Sequence, residues 1–239
     1  MHPLDNPIWH ALVTRQAGFA QNSGPARKFI PEVGPLAGFE NGETDGYEAL
    51  AELLEDQDAA AVFLEAPYEP RDGWEFLAGA PLLQMIAENG APPVQPSTRM
   101  EIVELGARDC EQMIELTELT KPGPFGPRTH ELGTYVGIRE MGKVVAMAGE
   151  RLKVPGYTEV SAVCTHPDCL GRGYAAALMR EVIERIGDRG ETPFLHVRGD
   201  NRRAIALYER LGFRTRWAGH FAVLKIKRDV ASNVSFQSR

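Results

Sequence analysis

Chemistry in this chain concentrates in one stretch, Glu159 to Asp188, and within it on Gly171 and Gly173 in the run Gly-Arg-Gly-Tyr-Ala-Ala. Neither glycine carries a Cβ, so a ligand can come close to the main chain there. The run before them is rich in Val, Ser, Cys and Thr and stops at Pro167, which suits a buried strand. The run after them places Ala175, Leu178, Met179, Val182, Ile183 and Ile186 on one helical stripe. Arg180 with Glu184, and Glu181 with Arg185, lie one helical turn apart on the opposite, charged face. Strand, glycine turn and helix together present free backbone N–H groups and the positive end of a helix dipole. That is an anion site, and phosphate is the anion it suits best.

Three phosphate ligands compete for it. A nucleoside triphosphate loop needs Gly-x-x-x-x-Gly-Lys-Ser/Thr, and no Lys follows Gly173 directly. A dinucleotide loop is a closer rival, because Gly171 to Ala176 fits Gly-x-Gly-x-x-Ala. Yet His166 to Leu170 separates the strand from the glycines, and the remaining chain has room for only one more helix. The third ligand is acetyl-coenzyme A. Leu170-Gly171-Arg172-Gly173-Tyr174-Ala175 resembles motif A of the GNAT acyltransferase superfamily, Gln/Arg-x-x-Gly-x-Gly/Ala, and matches it at Gly173 and Ala175. Leu170 departs from the Gln or Arg of the first position, which removes a side chain near the phosphates and leaves the backbone amides intact. Asn201 to Phe213 resembles motif B, Asn-x-x-Ala-x-x-x-Tyr-x-x-x-Gly-Phe. As a helix, that segment puts Ala204, Leu207, Tyr208 and Leu211 on one face. Gly212 is then placed for the left-handed residue after the helix, and Phe213 can fold back on Leu207 or Tyr208. The resemblance spans roughly Arg99 to Arg228.

The resemblance implies a fold and a reaction. The fold is α/β (α+β): a mixed, mostly antiparallel central sheet flanked by helices, preceded by a smaller α/β N-terminal region. Residues 1–95 would be a structural or substrate-shaping domain, and 96–239 the acetyl-CoA-binding catalytic domain. The reaction is N-acetyl transfer from acetyl-CoA, a co-substrate, to a primary amine by direct attack, with no metal. The central strand would part from its neighbour, freeing backbone groups near Val163, Cys164 and Thr165 for the pantetheine arm and the thioester carbonyl. Gly171, Arg172, Gly173, Tyr174, Ala175 and Ala176 would hold the pyrophosphate. Asn201 would lie along the pantetheine, and Tyr208 would protonate the departing thiolate. Glu159 is the candidate base, acting directly or through water, with Glu150 a lesser one. His166 precedes a proline and His196 sits in an apolar run, so both read as structural. Cys164 has no His and carboxylate placed beside it by sequence. Two other functions stay open: a non-catalytic acyl-CoA-binding or sensor protein of the same fold, and a nucleotide-dependent oxidoreductase.

The rest of the chain must position these groups. With 239 residues, 43% of them hydrophobic, the chain can bury a sizeable core as one or two domains. A net charge of −7 disfavours nucleic acid, and the apolar runs are too short for a membrane. Three scattered cysteines and no basic-then-apolar leader fit a cytoplasmic protein. The expected partner is a small-molecule or peptide amine, and the negative charge leans toward cationic ones such as aminoglycosides or polyamines. Either a monomer or a homodimer is compatible. Residues 47–55 read as a helix, 60–65 as a strand, 81–88 as a strand or short helix, and 91–97 as a linker. Beyond it, 100–105 reads as a strand and Asp109 as the cap of a helix to Thr120. A Pro- and Gly-rich loop at 121–130 would border the acceptor. Strands follow at 134–140, 143–151, 193–197, 213–217 and 221–227, the first two joined by a hairpin at Met141-Gly142.

Overall fold

In a computed structural model, residues 2–41, 46–55, 58–88 and 100–227 are described. The linker expected over 91–97 lies outside them. The chain opens with helix α1 (Pro7–Val13) and a three-stranded antiparallel sheet of β1 (Ala20–Ser23), β2 (Ala26–Phe29) and β3 (Ala37–Phe39). Helix α2 (Gly46–Ala51) and strands β4 (Ala60–Leu64) and β5 (Trp74–Ile86) follow. Then come β6 (Val103–Leu105), α3 (Cys110–Thr120), β7 (Tyr135–Glu140), β8 (Lys143–Val154) and β9 (Tyr157–Thr165). Helix α4 (Tyr174–Asp188), β10 (Thr192–Arg198), α5 (Arg202–Arg210) and β11 (Arg214–Ile226) complete the order. Strands β4 to β11 form one sheet in the order β4-β11-β5-β10-β9-β8-β7-β6. Every neighbouring pair is antiparallel except β9 with β10. This is the mixed, mostly antiparallel sheet flanked by helices that the sequence led us to expect. No described helix is long and apolar enough to cross a membrane.

The expected division at residue 95 is not a division of this sheet. β5 lies between β10 and β11, hydrogen-bonded to both, and β4 pairs with β11. The apolar clusters also cross it: Leu4, Ile8 and Phe29 pack with Leu152, Val154 and Phe194. Polar side chains do the same. Gln16 donates to the Arg151 carbonyl (2.6 Å) and accepts from the Lys153 amide (3.2 Å), where β8 carries a bulge. The first 88 residues are thus a wall of the same molecule. Periodicity left 81–88 ambiguous because both faces of β5 are covered there, Leu83 and Met85 packing in one apolar cluster and Ile86 in another, so the alternation of a half-exposed strand is lost.

Two local expectations change. Asp109 holds the position before α3, but its side chain makes no capping bond. Its carboxylate accepts from the Gly106 amide (2.9 Å) and pairs with Arg139, pinning the approach to the helix to β7. The two strands expected at 213–217 and 221–227 are one, β11, with an irregularity between Thr215 and Trp217. Ala218 and Gly219 look like a turn by composition but stay in the ladder opposite Leu83 and Leu82. A Cβ at Gly219 would lie 2.4 Å from the Leu64 carbonyl, so glycine there serves close packing.

The helices follow their patterns. Leu178, Met179, Val182, Ile183 and Ile186 of α4 are buried against the sheet. The hairpin of β7 and β8 turns at Met141 (φ 48°) and Gly142 (φ 79°), the two positive values its two-residue turn needs. Met141 is fully exposed, so its left-handed backbone is offset by no contact of its own. Replacing it with glycine should therefore raise the unfolding free energy by about 0.5–1 kcal/mol, measured by urea denaturation. A loss of stability would contradict the strain reading.

Candidate functional site

The site begins where β9 and β10 part. Their parallel pairing covers only Tyr157 with Thr192, Thr158 with Pro193 and Glu159 with Phe194. Beyond Glu159, β9 keeps to β8 alone and carries one extra residue, since Cys164 faces Met147 and Ser161 faces Gly149. Ala162 takes up that bulge in the left-handed region, φ 52°. The gap opens into a cleft of about 870 Å³, walled by β9, the 170–176 turn and α5.

On one side the cleft offers main chain. Gly171 (φ 80°) and Gly173 (φ 82°) are both left-handed, and Gly173 is the residue before α4. A Cβ at Gly171 would meet nothing within 4 Å, so the backbone conformation demands glycine there, not crowding. The first intrahelical-type bond comes from Ala177 to the Gly173 carbonyl (3.1 Å), so the N–H groups of Tyr174, Ala175 and Ala176 have no helical partner. All three residues line the cleft, as do Val163, Cys164, Thr165, Gly171 and Gly173. Arg172 does not. It reaches Glu140 Oε1 (2.7 Å) and the Asp168 carbonyl (3.2 Å), and the Tyr174 hydroxyl donates to the same Glu140 oxygen (2.5 Å). Glu140, at the end of β7, thus ties the glycine turn to the sheet. These partners, Tyr174 first, hold its carboxyl below the usual range.

α5 forms the facing wall. Asn201 caps it, Oδ1 accepting from the Ala204 amide (3.1 Å), and lines the cleft. Ala204, Leu207 and Tyr208 sit on the predicted face but are only partly buried, because that face borders the opening. Gly212 is left-handed (φ 91°), and the Phe213 amide bonds the Tyr208 carbonyl (3.0 Å). Phe213 folds back to put its ring 6.2 Å from that of Tyr208. The Tyr208 hydroxyl has no hydrogen-bond partner among the described residues, and burial pushes it up to about 12, so it is a neutral phenol at working pH. Burial likewise pushes the Cys164 thiol up to about 11, which removes it as a nucleophile.

Glu159 corrects the sequence reading. It is fully buried and does not line the cleft. Arg151 clamps it with two bonds, Nε to Oε2 (2.8 Å) and Nη2 to Oε1 (2.7 Å), the Leu152 amide donates to Oε2 (3.2 Å), and His196 Nδ1 lies 2.7 Å from Oε1. Burial alone would raise the carboxyl, but Arg151 and then His196 outweigh it and hold it at about 2. A carboxylate so held is a poor base. Glu150 is buried as well, bound to Lys153 (2.8 Å), Arg189 (2.6 Å) and the Thr134 amide (3.3 Å). His196 lines the cleft and is held in a fixed orientation. Gln84 Nε2 donates to the Leu4 carbonyl (2.9 Å) while Oε1 accepts from Arg216 (3.1 Å), which fixes the amide orientation. Gln84 Nε2 then donates to His196 Nε2 (3.2 Å), so the imidazole proton sits on Nδ1 and points at Glu159. His166 caps the short turn at Pro167–Cys169 by accepting from the Asp168 amide (3.2 Å).

Sequence reading missed the other end of the cleft. Leu36, Ala61, Phe63, Leu82, Phe221 and Val223 line it, with Arg151 and His196. Lys121 to Pro124 also border it, so the Pro- and Gly-rich loop does lie at the opening. That loop is anchored by Thr129 Oγ1 to the Val33 carbonyl (2.5 Å) and by the Arg128 amide to the Glu32 carbonyl (2.9 Å).

The linkage at Glu159 has a definite sign. Its folded pKa is depressed from 4.5, so its stabilisation is complete above pH 4.5 and drains away as pH falls toward 2. Glu159→Gln should destabilise the fold by about 3–5 kcal/mol at pH 7, because it strands the buried Arg151 charge. It should also flatten the loss of stability between pH 4.5 and 2, read by denaturant titration across that range. An unchanged acid limb in the variant would contradict the buried pair.

Residues 135–222 match the FR47-like protein family. N-alpha-acetyltransferase RimI of Mycobacterium tuberculosis is 33% identical over 128 residues, covering 50% of this chain and 80% of that protein. A protein of known structure from Novosphingobium aromaticivorans, described as being from the GNAT family, is 40% identical. It superposes with a TM-score of 0.87 over 95% of this chain and 100% of that one. A GCN5-related N-acetyltransferase from Kribbella flavida, 20% identical with a TM-score of 0.58 over 90% of this chain and 95% of its own, shares the fold.

Proposed function

The chain belongs to the GNAT superfamily and is an acyltransferase, and from that premise we propose that it moves an acetyl group from acetyl-CoA to a primary amine by direct attack. The observation that carries this reading is the parting of β9 from β10 directly beside the left-handed Gly171 and Gly173. It joins a main-chain cradle for a thioester arm to an N–H cradle for a pyrophosphate. A cleft of about 870 Å³ has the size of a site for such a ligand.

Acetyl-CoA is here a substrate, and the residues divide its parts between them. Gly171, Gly173, Tyr174, Ala175 and Ala176 receive the pyrophosphate on unpaired amides, aided by the α4 dipole. Arg172 supports the turn through Glu140 and leaves the phosphates to the amides. Val163, Cys164 and Thr165 pair with the pantetheine through backbone, and Asn201 lies along it. In the reaction the amine nitrogen bonds to the acetyl carbonyl carbon, the carbon–sulfur bond breaks, and the sulfur leaves as thiolate. Tyr208, neutral and otherwise unpartnered, supplies the proton to that sulfur. The amine proton leaves to water, since both candidate carboxylates are buried in ion pairs. Glu159 acts as the anion that holds Arg151 and His196 in place.

Thermal melting with acetyl-CoA, CoA, NADH and ATP tests the ligand. Stabilisation by the first two alone is expected; stabilisation by NADH alone would return the turn to a dinucleotide. Gly173→Glu should abolish the acetyl-CoA shift, because it adds a strained left-handed Cβ and a negative charge at the amides. Tyr208→Phe should leave that shift unchanged and lower kcat about 100-fold in a thiol-release assay. Unaltered turnover in the phenylalanine variant would remove Tyr208 as the acid, while no turnover of any amine by a wild type that acetyl-CoA stabilises would favour the sensor reading of the fold.

A further inference from the structure

The charge of the cleft opposes the charge of the chain. The protein carries a net −7, yet among the described residues no Asp or Glu lines the cleft, while Lys121, Arg151, Arg198, Arg203 and Arg210 do. Arg198 is engaged by Asp200 (3.0 and 2.7 Å). Arg203 and Arg210 stand on α5, the wall opposite the glycine turn, where a phosphorylated cofactor enters. Arg198 is also 58% exposed, and Lys121 is exposed on the loop at the opening, which leaves Arg151 as the enclosed cation of the far end.

Arg151 is built for a ligand. Its side chain is 13% exposed, held rigid by Glu159 through Nε and Nη2. Nη1 has no hydrogen-bond partner among the described residues, although the side chain borders the cleft. Around it the walls are apolar: Leu36, Ala61, Phe63 and Val223. A donor aimed into an apolar chamber is the kind of group that orients a small ligand. Arg151 also borders a void, with Phe29, Val33, Leu36, Pro124 and Leu132, of only about 10 Å³, at most the room of one water. A ligand that reaches the guanidinium therefore ends there, and the end that matches it is an anion.

Resting on the acetyl-transfer reading above, we propose that the acceptor is a small primary amine with an apolar body and a terminal carboxylate that Arg151 Nη1 binds, of the type of an apolar α-amino acid. A polyamine or an aminoglycoside finds no carboxylate on these walls. A peptide N-terminus lacks the terminal anion and would have to continue where the chain is packed.

The test is kinetic, with thiol release followed for phenylalanine, leucine, phenethylamine, spermidine and an Ala-Phe-amide peptide. Phenylalanine or leucine should exceed phenethylamine, the same body without the carboxylate, by about 10- to 100-fold in kcat/KM. Arg151→Gln alone strands Glu159, so the neutral pair Arg151→Gln with Glu159→Gln is compared as well. In that double variant acetyl-CoA should still raise the melting temperature, and the preference for the amino acid over phenethylamine in kcat/KM should fall by the same factor. A protein that merely lost structure would lose both acceptors together. Preference for phenethylamine, spermidine or the peptide, or no turnover of the amino acids by a protein that acetyl-CoA stabilises, overturns the inference. Absence of the acetyl-CoA shift in the wild type instead overturns the acetyl-transfer reading beneath it.

Discussion

A buried carboxylate holds the fork on which this site depends. Two parallel strands that stay hydrogen-bonded to their ends leave no gap, and two that separate expose polar main chain to an apolar interior. Glu159 occupies the last paired position, and its side chain spans the opening, bound to Arg151 on β8 and to His196 on β10. Gln84 on β5 then continues the chain of donors to the N-terminal Leu4 carbonyl. One charge thereby sets the spacing of three strands. Because its partners are themselves anchored, the opening is wide at one end and closed at the other, which a flexible pair of strands would not maintain.

The two ends of the cleft are made of different materials. The cofactor end is backbone: left-handed glycines, unpaired amides and the free stretch of β9. On the proposed reading, backbone meets what every acyl-CoA shares and places few demands on side chains, which leaves room for Leu170 where Gln or Arg is usual. The acceptor end is side chain, contributed by β4, β11, the 121–124 loop and Leu36. Its form depends on the first 88 residues, which hold the loop through Glu32 and Val33. One half of the site is thus main chain and the other is side chain.

That split explains what could be read in advance. The turn at Gly171, the helix after it and the ending of α5 at Gly212 and Phe213 are local: their signals sit within a few residues of their effect. The strand parting beside Val163 was implied by the resemblance, and the pairing register shows it. Glu159 went the other way. In sequence it is an acidic residue at a strand end, open to a solvent-facing or basic role. Its partners lie eight and thirty-seven positions away, and nothing in its neighbours announces that it will be enclosed. Arg151, Phe63 and Val223 were silent for the same reason: each is ordinary within its own strand. The place of β5 was equally hidden, since pairing across more than a hundred residues leaves no trace in periodicity.

The insertion of β5 between β10 and β11 has a consequence for how the molecule is made. β5 leaves the ribosome long before either neighbour exists, with Phe76 and Leu77 exposed even in the finished fold. Strand β10, in turn, has β9 beside it for only three residue pairs and needs β5 for the rest of its bonds. Sheet assembly is therefore a late, non-local event that waits for the final strand, β11, to close over β5 and β4 together. Until then the early strand is an open edge, and residues 100–227, synthesised by themselves, would carry one too. The apolar end of the cleft, lined by β4, β5 and β11, therefore forms only when the fold is completed.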